Sequence, residues 1–190
     1  MKYKGEWIYG EQNTGIWWNE TESSLPPGAK LLSIILYSDA TNVNILGKSQ
    51  LHPIYISIGN ILNWRRNKPD IKQLLGYMPI LKAKNNTEKK SIEFKKTAHE
   101  IFYNSLKILL DPIFKLKNGL DLFIDNKLFW FIPWISIIIA DWSEAATYYL
   151  IYKSSNSNFS YYFCLVTKNN LNNINLLIEN IILRIHELMQ

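Results

Sequence analysis

The chain has 190 residues, of which 47% are hydrophobic and 19% charged, a balance that supports a packed core and argues against a disordered tail. Lys and Arg number 21 against 16 Asp and Glu, and the resulting formal charge of +5 suits an anionic partner such as nucleic acid without establishing one. The single cysteine, Cys164, excludes an intramolecular disulfide framework and a cysteine-based zinc site.

Residues 1–30 read as an irregular aromatic strap. Its start, MKYKGEWIYGEQ, lacks the apolar stretch of a signal peptide. Trp7, Trp17 and Trp18 alternate with Gly, Asn and Glu before Pro26-Pro27-Gly28 closes the segment, and tryptophans in such a segment plug onto a neighbouring core. LLSIILYSDAT is an apolar run of strand length that ends in the strand-terminating pair Ser38-Asp39. LHPIYISIGNIL alternates Ile54, Ile56 and Ile58 against Tyr55 and Ser57, the period-two pattern of a strand. KQLLGYMPIL gives a third short strand, and its Pro79 points to a strand end or a sheet edge.

Lys82 to Lys90 reads as a polar basic linker. From Ser91 to Leu110, Ala98, Ile101, Phe102, Leu106, Leu109 and Leu110 recur at three- and four-residue steps. Lys95, Lys96, Glu100 and Lys107 take other positions, so the stretch is an amphipathic helix, ended or kinked by Pro112. GLDLFIDNKLFWFIPWISIIIA then gives a short strand, a turn at Asp125-Asn126 and a long β-branched run to Ala140. That run is shorter than the ~20 apolar residues that span a bilayer, so it belongs to the core. A strand fed by a crossover helix predicts at least one parallel pair. WSEAATYYLIY reads as a helix with Asp141 at its N-cap and Glu144 three residues on. Residues 153–160 form a loop, and Leu176, Leu177, Ile181, Ile185 and Leu188 give the tail helical spacing.

The predicted fold class is α/β with a mixed sheet: three antiparallel strands, a helix, a further strand and a helix. This order opens a ribonuclease-H-like fold, here partial and spanning 31–175, with 176–190 as a helical tail.

Asp39 and Asp141 each follow an apolar strand. If those strands are parallel neighbours, their ends lie roughly 5 Å apart and the carboxylates converge at one rim of the sheet. Paired carboxylates suit Mg²⁺, a hard cation that takes oxygen ligands together with phosphate oxygens, and two such ions about 4 Å apart assist phosphodiester cleavage. Structural readings stand beside this one. Asp39 can form an Asx turn, and Asp141 with Glu144 at N3 makes a helix cap, a role compatible with metal binding. In Trp64-Arg65-Arg66-Asn67-Lys68, Arg65 and Arg66 can fork onto phosphate, Lys68 adds charge and Trp64 can stack on a base. A solvated turn explains the same residues, as solvated faces explain Lys82, Lys84, Lys89, Lys90, Lys95 and Lys96. His52, His99 and His186 share no ligand spacing, and no phosphate-cradling glycine loop or nucleophile elbow occurs.

The words YSDAT, LGKS, HPIYISIGNI, NWRRNKPD and LLGYMPIL, followed by IPWISIIIADWSEA and YKSSNSNF, resemble in their order the transposase core of Plavaka-type elements. These are relatives of the CACTA group and are common in fungal genomes. The resemblance runs from roughly Trp7 to Asn173. It implies a ribonuclease-H-like domain with an acidic triad, two divalent metals (Mg²⁺ or Mn²⁺), and DNA as the partner that is cleaved and joined. Carried over residue by residue, the first catalytic Asp falls on Asp39 and the second on Asp141.

Departures from the family pattern shape the expectation. Tyr161 stands where Cys164 should have its partner, so a zinc knuckle is lost. Ser143 replaces a Pro, and Trp134 stands where related copies carry Arg. The family's last acid lies further downstream, and Glu144, Glu179 and Glu187 do not match its motif. The expected protein is a truncated, catalytically impaired transposase of the DDE type that retains DNA binding, with Mg²⁺ held by Asp39 and Asp141. Two alternatives are an active Mg²⁺-dependent DNA nuclease with Glu144 as third acid, and a non-catalytic interaction module. The chain reads as intracellular, nuclear if functional, with no membrane partner and no oligomeric state legible.

Overall fold

The computed structural model describes residues 2–7, 10–42, 50–148, 158, 164–173, 175–177, 179 and 181–182. The chain forms two compact units, Met1–Ile139 and Ala140–Gln190. In the first, β1 (Lys2–Tyr3) and β2 (Glu6–Trp7) make a small hairpin, and a 3₁₀ turn at Gln12–Thr14 leads into α1 (Ile16–Ser23). The segment expected to be an irregular strap thus contains an eight-residue helix. Its apolar positions are too few to show an amphipathic period. A local pair supports it instead, Trp18 Nε1 donating to Glu22 Oε2 one turn on at 3.2 Å. Trp18 is buried at 6% exposure, as expected of a tryptophan plug, whereas Trp17 stays exposed.

Next come β3 (Ala29–Ser38), β4 (Thr41–Asn42), β5 (Gln50–Leu51), β6 (Pro53–Ile58), α2 (Asn63–Arg66) and β7 (Gln73–Tyr77). The segment 82–90, expected to be a linker, forms α3 (Asn86–Lys90), because Asn85 Oδ1 accepts from Glu88 N at 2.8 Å and caps it. The long helix α4 (Ile92–Lys115) starts where Ser91 Oγ accepts from Phe94 N at 3.1 Å. It does not stop at Pro112. Proline removes one backbone bond there, while the added turn brings Ile113 onto the core made by Ile34, Leu36 and Leu110. Ile56, Leu75, Leu106 and Ile135 pack around the same core.

A hairpin follows, β8 (Leu120–Ile124) and β9 (Lys127–Ile139). Its turn residues Asp125 and Asn126 have φ of 49° and 61°, the left-handed values that tight hairpin turns demand and that Asp and Asn tolerate. The main sheet runs β7-β6-β3-β9-β8. β7, β6 and β3 form the expected antiparallel meander, β3 and β9 the expected parallel pair, and β8 turns back antiparallel along the edge of β9. Beyond Phe131, where β8 ends its pairing, β9 has among the described residues a strand neighbour on one side only, and Pro133 lies in that stretch.

The β3–β9 ladder slips by one residue, Ile34 facing Ile135 and Ile35 facing Ile137, which leaves Ser136 as the extra residue of a bulge. Ser136 Oγ donates to Ile34 O at 3.0 Å and accepts from Gln12 Nε2 at 3.3 Å. Ser33 Oγ, fully buried, donates to Gln12 Oε1 at 2.6 Å. Asn60 braces the same place, accepting from Ser33 N at 2.9 Å and donating to Leu31 O at 2.8 Å. The N-terminal segment, the β6–α2 loop and the bulge are therefore tied by one polar cluster.

In the second unit, α5 (Trp142–Tyr148) stands where a helix was expected. Described residues between Leu171 and Ile182 contain no α-helix, so Leu176, Leu177 and Ile181 lie in irregular chain. Asparagine explains this: its side chains bond nearby backbone, as Asn173 Oδ1 does in accepting from Asn175 N at 3.1 Å. Tyr161, Ile185, Glu187 and Leu188, and the 153–160 loop apart from Asn158, fall outside the described residues. Among the described residues no helix is long and apolar enough to cross a membrane.

Candidate functional site

Asp39 lies at a break in an otherwise continuous ribbon. The β3–β6 ladder ends at Ser38 opposite Ile54, and the β4–β5 ladder resumes with Thr41 opposite Leu51. Both keep one register, which sets Asp39 and Ala40 against Pro53 and His52. Pro53 has no N–H to donate, so cross-strand pairing lapses beside Asp39. The residue before it is fixed firmly: Ser38 Oγ lies 2.8 Å from His52 Nε2, with Ser38 at 0% and His52 at 9% exposure. His52 O in turn accepts from Met78 N at 2.7 Å, and its ring sits 6.2 Å from that of Phe102 on α4. Three strand ends and a helix thus hold the backbone that delivers Asp39 to the exposed surface.

β9 finishes beside β3, with Tyr37 opposite Ile139. Asp141 is two residues further on, in the second unit, where it is exposed and caps α5 as its sequence context predicted. Glu144 N donates to Asp141 Oδ1 at 2.7 Å, and Ala145 N donates to Asp141 O at 2.8 Å. Glu144 is half-buried on the first turn of α5. Among the described residues no group of three His, Cys, Asp or Glu side chains comes together as a metal cage. Cys164 is buried with a free thiol.

The basic cluster has a different character from its sequence. Arg65 forks onto Asp70, Nη1 to Oδ1 at 2.9 Å and Nη2 to Oδ2 at 2.6 Å. These hydrogen bonds hold the Asp70 carboxyl below the usual carboxylate range and raise the Arg65 guanidinium further. Arg66 Nη1 donates to Gly59 O at 3.1 Å and Ile61 O at 2.9 Å, and its Nη2 lies 3.8 Å from Glu11 Oε2. Glu11 Oε1 accepts from Asn63 N at 2.8 Å, so both ends of the α2 loop are pinned. Both arginine forks are engaged inside the molecule. Trp64, 67% exposed, and the exposed Lys68 face solvent. The Arg65–Asp70 spacing of five was a local signal for the first pair; the Glu11 contact, 55 residues from Arg66, left none.

The family model described as Plavaka transposase matches residues 1–180. Among curated proteins and among solved structures none matches.

Proposed function

The chain belongs to the Plavaka transposase family, and from that premise we propose that it binds DNA and holds Mg²⁺ or Mn²⁺ through Asp39 and Asp141 as a catalytically impaired member of the DDE type. The observation that carries this reading is the parallel pairing of β3 and β9 through Tyr37 and Ile139, each followed two residues later by one of the aspartates. A ribonuclease-H-like arrangement is supported by the antiparallel β3–β6–β7 meander, the crossover through α4 and the return of β9 beside β3. The edge next to β9 is occupied by the antiparallel β8, a departure from continuing parallel strands.

Carboxylate oxygens are the donors that hard divalent cations take, and Asp39 is exposed where cross-strand pairing lapses. Such a cation, when bound, neutralises charge on a phosphodiester. Asp141 can contribute while capping α5, since a carboxylate has two oxygens and several lone pairs. A site built on these two carboxylates alone has less charge and poorer geometry than one with three acids, so strand cleavage by it should be slow. The exposed Lys68 and Trp64 supply a phosphate contact and a stacking surface.

Binding to duplex DNA at rising salt tests this. We expect affinity to fall steeply and linearly on a log–log plot, as for a few phosphate contacts. Affinity that is flat in salt contradicts DNA binding. Mg²⁺-dependent nicking of plasmid that disappears in Asp39→Asn would instead make the chain an active nuclease.

A further inference from the structure

A small pocket opens on the sheet face opposite α4, at the ends of β3 and β9. Register builds it. Tyr37 of β3 has Tyr55 of β6 on one side and Ile139 of β9 on the other, and behind this row Ile35 stands opposite Ser57. These five residues, with Lys72, line a cavity of about 90 Å³. The Tyr37 and Tyr55 rings lie 6.5 Å apart at 50° to each other. Lys72 Nζ hangs 5.7 Å from the centre of the Tyr37 ring and forms no ion pair among the described residues. Ser57 Oγ is buried and has no hydrogen-bond partner among the described residues. Arg66 also reaches the wall, but the Gly59 and Ile61 carbonyls occupy its guanidinium.

We propose that this pocket is a nucleotide site, in which a pyrimidine base lies against Tyr37 and Tyr55, its polar edge satisfies Ser57 Oγ, and its phosphate meets Lys72. The chemistry selects the class. Bare phosphate leaves unused the two tyrosines and three isoleucines of the wall. A purely apolar group leaves the buried hydroxyl unpaired, and natural interiors avoid that. A heteroaromatic ring with a hydrogen-bonding edge and an anionic tail matches all three parts. The location agrees, because ligands of open α/β sheets collect outside the carboxyl ends of parallel strands. Tyr37 precedes Asp39 by two residues, so the pocket lies beside the end of β3 where that carboxylate emerges. The inference rests on the DNA reading only for the source of the nucleotide, a strand or a free nucleotide.

Two ligands tested on the full chain separate these sources. Thymidine monophosphate is titrated with amide chemical shifts as readout, and a short oligothymidylate carrying 5-iodouracil is photocrosslinked and the site mapped by mass spectrometry. We expect shifts centred on Tyr37, Tyr55 and Ser57, and crosslinks in the peptides that carry the two tyrosines. Ser57→Ala should weaken binding about fivefold, the loss of one hydrogen bond, and should raise the melting temperature, because it deletes an unpaired buried hydroxyl. Lys72→Gln should lower the salt slope of oligonucleotide binding by about one. Oligonucleotide binding with crosslinks only at Trp64 or elsewhere, unaltered in Ser57→Ala, overturns the pocket and leaves the DNA reading standing. Mononucleotide binding at the pocket without strand binding keeps the pocket and removes the DNA reading. Perturbation of the pocket by neither ligand overturns the proposal.

Discussion

Gly59 occupies a place where a Cβ would collide with the Gln12 amide and the Ser33 hydroxyl. Those two groups brace the bulge at Ser136, so Gly59→Ala should push Gln12 off the bulge and destabilise the fold by about 1–3 kcal/mol in urea titrations, with the m-value unchanged. His52 is the second such residue. Replacing it with Ala removes the contact to Ser38 Oγ and opens a hole beside Phe102, a loss of about 2–4 kcal/mol by the same measurement. At Arg65 and Asp70 the effect depends on pH. The hydrogen bonds from Arg65 lower the folded-state value of Asp70, so the unfolded chain binds the proton more readily. The pair therefore contributes its stability above about pH 4, and loses it as pH falls through the depressed value of the folded protein. Because the pair is open to solvent the effect is small and salt-sensitive. Acid titrations of the native protein and Asp70→Asn should differ at neutral pH and converge at low pH; a difference that persists in acid contradicts this sign.

At the scale of elements, the five strands of the main sheet were legible, whereas the two-residue strands β1, β2, β4 and β5 and several helices were not. Period-two alternation in 53–58 and the apolar run ending at Ser38 mark β6 and β3 directly, and the Asp125-Asn126 turn marks the β8–β9 hairpin. α1 and α3 escaped because short helices owe more to local caps and tertiary packing than to periodicity. Of the two outcomes expected at Pro112, an end or a kink, the helix does not end there: the breaker is real, but a core contact of Ile113 outweighs it. Pro112→Ala should restore the missing backbone bond and stabilise α4 by about 1–3 kcal/mol, visible as a higher thermal midpoint. The α2 segment behaves differently from its composition. With its arginines engaged in intramolecular contacts, Arg65→Ala should leave DNA affinity nearly unchanged, whereas Trp64→Ala and Lys68→Ala should each weaken it several-fold in anisotropy titrations.

Across the whole molecule, what sequence could supply was the pair of strand ends, because Asp39 and Asp141 each terminate an apolar run. What it could not supply was register. Tyr37, Tyr55 and Ile139 become neighbours only through the β3–β6 and β3–β9 ladders, and the slip at Ser136 decides which β9 residues face them. A one-residue change of register would send Ile139 to the other face and dissolve the pocket. The same parallel ladder underlies the metal proposal, so a single test bears on both. Titration with Mn²⁺ should broaden the amide signals around Asp39 and around Asp141 together, at one common concentration, and Asp39→Asn should abolish both effects. Broadening confined to one aspartate, or arising elsewhere on the surface, would contradict a shared metal site.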